Sequence, residues 1–150
     1  MKFIALDIGK RRIGVASCDQ LEIAASPHSF VPGGRDAITA IASIIESEGA
    51  EGVVVGLPLS MDGGERDACV RVRAFVDELK LRIAVPVYLV DERYTTKIAE
   101  ASLIEAGKRR ENRRDLRDAV AAALILKSFL DRRHFEAEKT SIHPLPDVTY

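Results

Sequence analysis

Gly52 to Leu57 reads GVVVGL, an unbroken run of apolar and β-branched residues set between two stretches of helical periodicity. Such a run belongs to a strand covered on both faces, the condition of a parallel sheet with helices packed on either side. Before it, Ile38, Ile41, Ile44 and Ile45 fall at helical spacing between Arg35 and Glu48, and Gly49 suits the helix stop. After it, Ala68, Val72, Phe75, Val76 and Leu79 form a stripe over Glu65 to Leu81, and Val85 to Val90 is a second β-branched run ending in Asp91-Glu92-Arg93. Alternation of this kind needs crossover helices and therefore predicts parallel neighbours.

The chain ahead of this unit follows a different rule. Phe3 to Leu6 is a short apolar run ending at Asp7, Ile8 to Arg12 breaks it, and Ile13 to Ser17 resumes with β-branched and small residues. Strand, tight turn and strand is the simplest reading. A third extended stretch covers about Glu22 to Val31, where Pro27 removes a ladder donor and favours an edge or a bulge. Beyond the parallel unit, Thr95 or Thr96 can cap a helix that stops at Gly107. Asp115 precedes a final helix with Leu116, Ala119, Ala123, Leu126 and Leu130 on one stripe, which places Asp118 in its first turn. Together these elements predict an α/β fold of the RNase H-like order over residues 1–133: a mixed five-stranded sheet, with a three-strand antiparallel meander and two parallel βαβ strands, flanked by helices. Residues 134–150 are expected to form a loosely held tail.

A chain of 150 residues supplies one domain. Its net charge of −1 argues against a generally basic nucleic-acid binder, but the charge is segregated. Lys108 to Arg117, KRRENRRDLR, holds six basic and two acidic residues. Such a block can supply sequence-independent attraction to phosphates, or simply a solvated surface. Two cysteines and three histidines are too few and too scattered for a zinc motif or disulfide framework. No apolar run approaches the roughly 20 residues of a membrane span, and Asp7 interrupts any signal-like core, so a cytoplasmic location without membrane attachment is expected.

Three acids share one kind of address. Asp7 ends the first strand, Glu92 follows the last, and Asp118 opens an alanine-rich helix. Ligands of open α/β sheets sit beyond the carboxyl ends of parallel strands. The small residues Ala119, Ala121, Ala122 and Ala123 would let the helix backbone come close enough to bring Asp118 there. Gathered carboxylates repel unless a cation lies between them, and hard oxygen donors suit Mg²⁺ or Mn²⁺, as one ion or two. The arrangement points to metal-dependent hydrolysis of a nucleic-acid backbone. Other readings stand beside it: Asp7 before Gly9 suits a turn, Glu92 can pair with Arg93 or Arg109, and Asp118 can be a first-turn helix acid. Thr95 can be a cap or a hydroxyl near phosphate. Gly56 and Pro58 suit a loop at the same sheet edge, and Lys10, Arg11 and Arg12 occupy the first hairpin turn near Asp7.

Five blocks in order resemble the signatures of the YqgF, or RuvX-type, family: LDIGKRRIGVASCD from Leu6, VVVGLP from Val53, VDERYTT from Val90, EAGKRR from Glu105 and DAVAAALIL from Asp118. The one departure is Cys18, which separates Ser17 from Asp19 where the family has adjacent Ser and Asp. The resemblance implies an RNase H-like nuclease with Asp7, Glu92 and Asp118 as metal-binding catalytic acids. Arg11, Arg12 and Thr95 would then lie near the substrate backbone, joined by Lys10 and by Lys108, Arg109, Arg110, Arg113 and Arg114 of the basic block. It also implies a Mg²⁺ or Mn²⁺ nuclease maturing the 5′ end of pre-16S rRNA, with pre-rRNA preferred over branched DNA and ribosomal particles as partners. The alternatives are a four-way-junction resolvase, which needs a two-fold dimer, and a catalytically silent RNA-binding module. Sequence leaves monomer and homodimer both open.

Overall fold

The structure, a computed structural model, describes residues 1–58, 67–92 and 113–140, with side chains of the last segment described for 118–137. The predicted helix after Thr95, Thr95 itself, and Lys108, Arg109 and Arg110 lie outside the described residues. In chain order the elements are β1 (Phe3–Ile8), β2 (Arg12–Cys18), β3 (Ala25–Pro32), α1 (Ala37–Glu48), β4 (Gly52–Leu57), α2 (Asp67–Lys80), β5 (Val87–Asp91) and a long helix, α3 (Arg113–Thr140). The sheet order is β3-β2-β1-β4-β5. The strands β1, β2 and β3 form the antiparallel meander, while β4 runs parallel to both β1 and β5.

Side-chain alternation divides the interior into two layers. Ile4 and Leu6 of β1, Val53, Val55 and Leu57 of β4 and Val87 of β5 pack with Ile41, Val72, Val76 and Leu79 of α1 and α2. Phe3 and Ala5, Ala16 and Cys18, Val54, Tyr88 and Val90 face the other way, onto Ala122, Ile125, Leu126 and Phe129 of α3. Phe3, Tyr88 and Phe129 meet there with ring centroids 5.0 to 6.1 Å apart, in tilted and edge-on contacts that favour the aromatic quadrupole.

Pro27 is accommodated in both of the ways its missing donor suggests. β3 is an edge strand, and the register steps from Val15 opposite Ser29 to Ala16 opposite Pro27, leaving His28 as the extra residue of a bulge.

The last helix departs from expectation at both ends. It begins at Arg113, so Asp115 lies inside it and Asp118 falls in the second turn, beyond the main reach of the helix dipole. It continues to Thr140, seven residues into the stretch predicted as tail. The sequence there, HFEAEKT, lacks an apolar stripe but is rich in good helix formers. Just before it, Arg133 Nε donates to Glu22 Oε1 at 2.6 Å and its guanidinium lies 5.2 Å from the Phe3 ring centroid, which ties the helix to the sheet. Among the described residues no helix is long and apolar enough to cross a membrane.

Candidate nuclease site

The alternation that buries Phe3 and Ala5 beneath α3 carries on to Asp7, so its carboxylate faces the same helix from the carboxyl end of β1. On β5 the series Tyr88 and Val90 leads in the same way to Glu92, the first residue past the strand. Asp91 points to the opposite face and is buried. Both acids thus stand where a parallel sheet places its ligands.

The close packing around them depends on two glycines. Gly14 is the β2 partner of Asp7, and a β-carbon there would fall well inside contact distance of the Asp118 carbonyl on α3. Close approach of the helix backbone at Asp118 and Ala119 therefore depends on a bare position in β2, with the buried Ala119, Ala122 and Ala123 supplying the helix side. Gly56 has the same role on the other flank: a β-carbon would strike the Glu92 carboxylate and lie 2.6 Å from Ile125 Cδ1. Gly56 is a buried residue within β4 and not part of a loop, correcting the expectation from its Gly-Leu-Pro context; Pro58 directly follows the strand. The sequence carried a signal for both, namely glycine interrupting a β-branched run, which marks close approach as readily as a turn. Gly14→Ala is expected to shift α3 and destabilise the protein by about 1–3 kcal/mol. Urea unfolding measures that loss, and turnover should fall with it because Asp118 moves.

Asp7 and Glu92 share a hydrogen bond, which requires a proton between them. Burial, the Asp7 charge and that hydrogen bond push Glu92 up to about 8. Glu92 is the donor, and Asp7 is raised by burial and by the Asp118 charge while the bond from Glu92 opposes the rise. Asp118 itself is engaged elsewhere: Arg12 Nε lies 3.3 Å from its Oδ2. Among the described residues no three Asp, Glu, His or Cys side chains form a ready-made metal cage. Two acids are in contact, and the third is beside them on an arginine.

Of the basic residues, Lys10 and Arg11 are exposed in the β1–β2 turn, while Arg12 turns inward to Asp118. Gly33 N donates to Arg11 O at 2.7 Å and Gly9 N to Arg12 O at 3.0 Å, which fixes the turn beside the acids. Arg113 and Arg114 open α3, with their side chains outside the described set. Phe30, not singled out by the sequence, stands opposite Gly14 in the β2–β3 register and carries the Arg12 guanidinium 5.2 Å above its ring.

The family model described as RuvX, Holliday junction resolvase, matches residues 1–132. The chain belongs to the RuvX family. A Roseiflexus member described as a candidate pre-16S rRNA nuclease is 41% identical over 132 residues, covering 87% of this chain and 94% of that protein. A Streptomyces avermitilis protein of the same description is 45% identical over 132 residues, covering 85% and 84%. Among solved structures, RuvC of T. thermophilus in complex with a Holliday junction substrate superposes with a TM-score of 0.56 at 18% identity, covering 97% of this RuvX chain and all of that one. Fowlpox virus resolvase bound to Holliday junction DNA gives a TM-score of 0.56 at 9% identity over 88% and 98% of the two chains. These likenesses show the fold of the RuvX chain to be RNase H-like.

Proposed function

We propose that this chain is a Mg²⁺- or Mn²⁺-dependent endonuclease that trims the 5′ end of pre-16S rRNA in the cytoplasm. The observation that carries the reading is the half-buried Asp7–Glu92 carboxyl pair at the carboxyl edge of the sheet, with Gly14 beside Asp7, Gly56 beneath Glu92 and Asp118 alongside. A hydrogen bond between two carboxyls needs a proton, and a divalent cation is the natural replacement for it. The donor set is all carboxylate oxygen, which fits a hard cation, and Gly14 and Gly56 let the Asp118 backbone and the Glu92 carboxylate close in on Asp7.

Asp7, Glu92 and Asp118 would hold the metal, which supplies an activated water and charge stabilisation at the leaving oxygen. Glu92 must give up its proton for this, and its placement under α3 keeps the pair away from bulk water. Lys10 and Arg11 on the exposed turn meet the substrate backbone. The basic block and Thr95 are assigned to phosphate contacts from the sequence alone, and Arg113 and Arg114 open the helix that carries Asp118. Neutralising Arg109, Arg110, Arg113 and Arg114 together is expected to weaken RNA binding and to flatten its logarithmic salt dependence by roughly 0.7 for each phosphate of a single strand that no longer meets an arginine. Filter binding over a salt series reads the slope directly.

The pre-16S rRNA assignment follows the description shared by relatives that match most of this chain. Junction resolution is the second reading, favoured by the family description and by the fold shared with junction-bound RuvC. It requires two coordinated cuts and hence a two-fold homodimer, whereas rRNA trimming can be done by a monomer, with ribosomal particles presenting the substrate. The deciding experiment sets wild type beside Asp7→Asn, purified identically, on a labelled pre-16S 5′ segment and a labelled four-way DNA junction in Mn²⁺. Cleavage of the RNA by wild type alone supports rRNA maturation. Paired symmetric cuts in the junction move the assignment to recombination. Binding of RNA without any cleavage, alone or with ribosomal particles added, makes the chain an RNA-binding module.

A further inference from the structure

The contacts of Arg12 include two of different kinds. Its Nε lies 3.3 Å from Asp118 Oδ2, and its guanidinium carbon lies 5.2 Å from the centroid of the Phe30 ring. Phe30 pairs with Gly14 in the β2–β3 register and Gly14 pairs with Asp7 in the β1–β2 register. A strip therefore crosses the sheet from the aromatic ring on the edge strand, over a bare glycine, to the first acid of the site. Arg12 lies along that strip and remains 36% open to solvent, as does the ring at 37%.

We infer that Arg12 is an exchangeable counter-cation of this site and Phe30 its positioning residue. Without metal the guanidinium neutralises Asp118. When a divalent cation takes that carboxylate, the guanidinium stays lodged on Phe30 and turns to a phosphate of the substrate strand. The inference rests on Asp7, Glu92 and Asp118 being the metal ligands, and it goes further by giving Arg12 two successive partners.

Three observations support it. Asp118 Oδ2 faces Arg12, so a cation that binds through that oxygen meets the guanidinium as a competitor. A guanidinium fork fits carboxylate and phosphate with the same geometry, so the exchange needs no new chemistry. The contact with Phe30 is independent of Asp118, so release of the carboxylate leaves the cation in place at the mouth of the site.

The test uses the full chain with labelled arginine side chains and labelled carboxylates, followed by NMR. The Arg12 Nε–Hε signal is identified by its loss in Arg12→Lys. Saturating Mg²⁺ is expected to move the Asp118 carboxylate resonance and to speed water exchange at Arg12 Nε–Hε. A short single-stranded RNA added to the Mg²⁺ form should slow that exchange again. If Asp118 responds to Mg²⁺ and Arg12 does not, the exchange is wrong and the metal site stands. If none of the three carboxylates responds, the metal site itself is wrong and the exchange falls with it. Phe30→Ala is expected to leave the Mg²⁺ midpoint unchanged while lowering RNA affinity in Mg²⁺ by roughly threefold to fivefold, with recovery in Phe30→Tyr. Unchanged RNA affinity in Phe30→Ala would remove the platform role.

Discussion

Asp7→Asn is expected to remove cleavage, by on the order of 10⁴-fold or more, because ligands acting as a unit fail together when one is neutralised. The same variant should melt no lower than wild type in the absence of metal, and slightly higher. Asp7 sits half-buried with its carboxyl raised by burial and by the Asp118 charge, so the native fold bears the cost of keeping an anion there. An amide of the same shape removes that cost and can still accept the hydrogen bond from Glu92. Calorimetry in a chelating buffer, run beside the cleavage assay, measures both halves. A variant that melts lower while retaining turnover would show that Asp7 is a structural residue.

The second large effect is an inversion of pH dependence by metal. Glu92 titrates near 4.5 when unfolded and about 8 in the fold. Below 4.5 the carboxyl is protonated in both states and its full contribution to stability is present. Between the two values the unfolded chain releases the proton while the folded chain retains it, so stability declines as pH rises through the window and levels off above about 8. Asp7, also raised, acts with the same sign. Glu48, lowered chiefly by its hydrogen bond from Lys2, loses its contribution only as pH falls through its lowered value and so leaves the window undisturbed. Metal-free protein should therefore lose a few kcal/mol between pH 5 and 8.5, on the order of 5–10 °C in Tm for a chain of this size. Saturating Mg²⁺ should reverse the trend, since the ion competes with the proton and binds more tightly as pH rises. Melting curves across pH with and without Mg²⁺ check this, and Glu92→Gln should flatten the metal-free curve.

The place of Asp7 and Glu92 at strand ends was legible because each comes at the end of an apolar run, and the end of a run is a local property of the chain. The mixed sheet was legible for the same reason, since helical and strand periodicities alternate without ambiguity after Gly52. Phe30 was not, and Gly14 and Gly56 were legible only as glycines interrupting β-branched runs. What each of the three meets, Asp118 on α3 for Gly14, Glu92 for Gly56 and Arg12 for Phe30, comes from another part of the chain and leaves no trace in sequence spacing. The start of α3 was misplaced because Asp115 looks like a cap, whereas the arginines before it are good helix formers and the helix includes them. Its end was misplaced because the last turns carry no apolar stripe, and their helicity follows from propensity and from the Arg133–Glu22 tie at the preceding turn.

The division of β1 into residues that face α3 and residues that face α1 and α2 constrains how this chain can change over time. Deleting or inserting one residue between Phe3 and Asp7 would send Asp7 into the layer now filled by Ile4 and Leu6 and turn an aliphatic side chain toward Glu92. Such a slip would strip the core and the carboxyl pair at one stroke. Length variation among descendants of this chain should therefore collect in its turns, while β1 tolerates substitution but never a change of count.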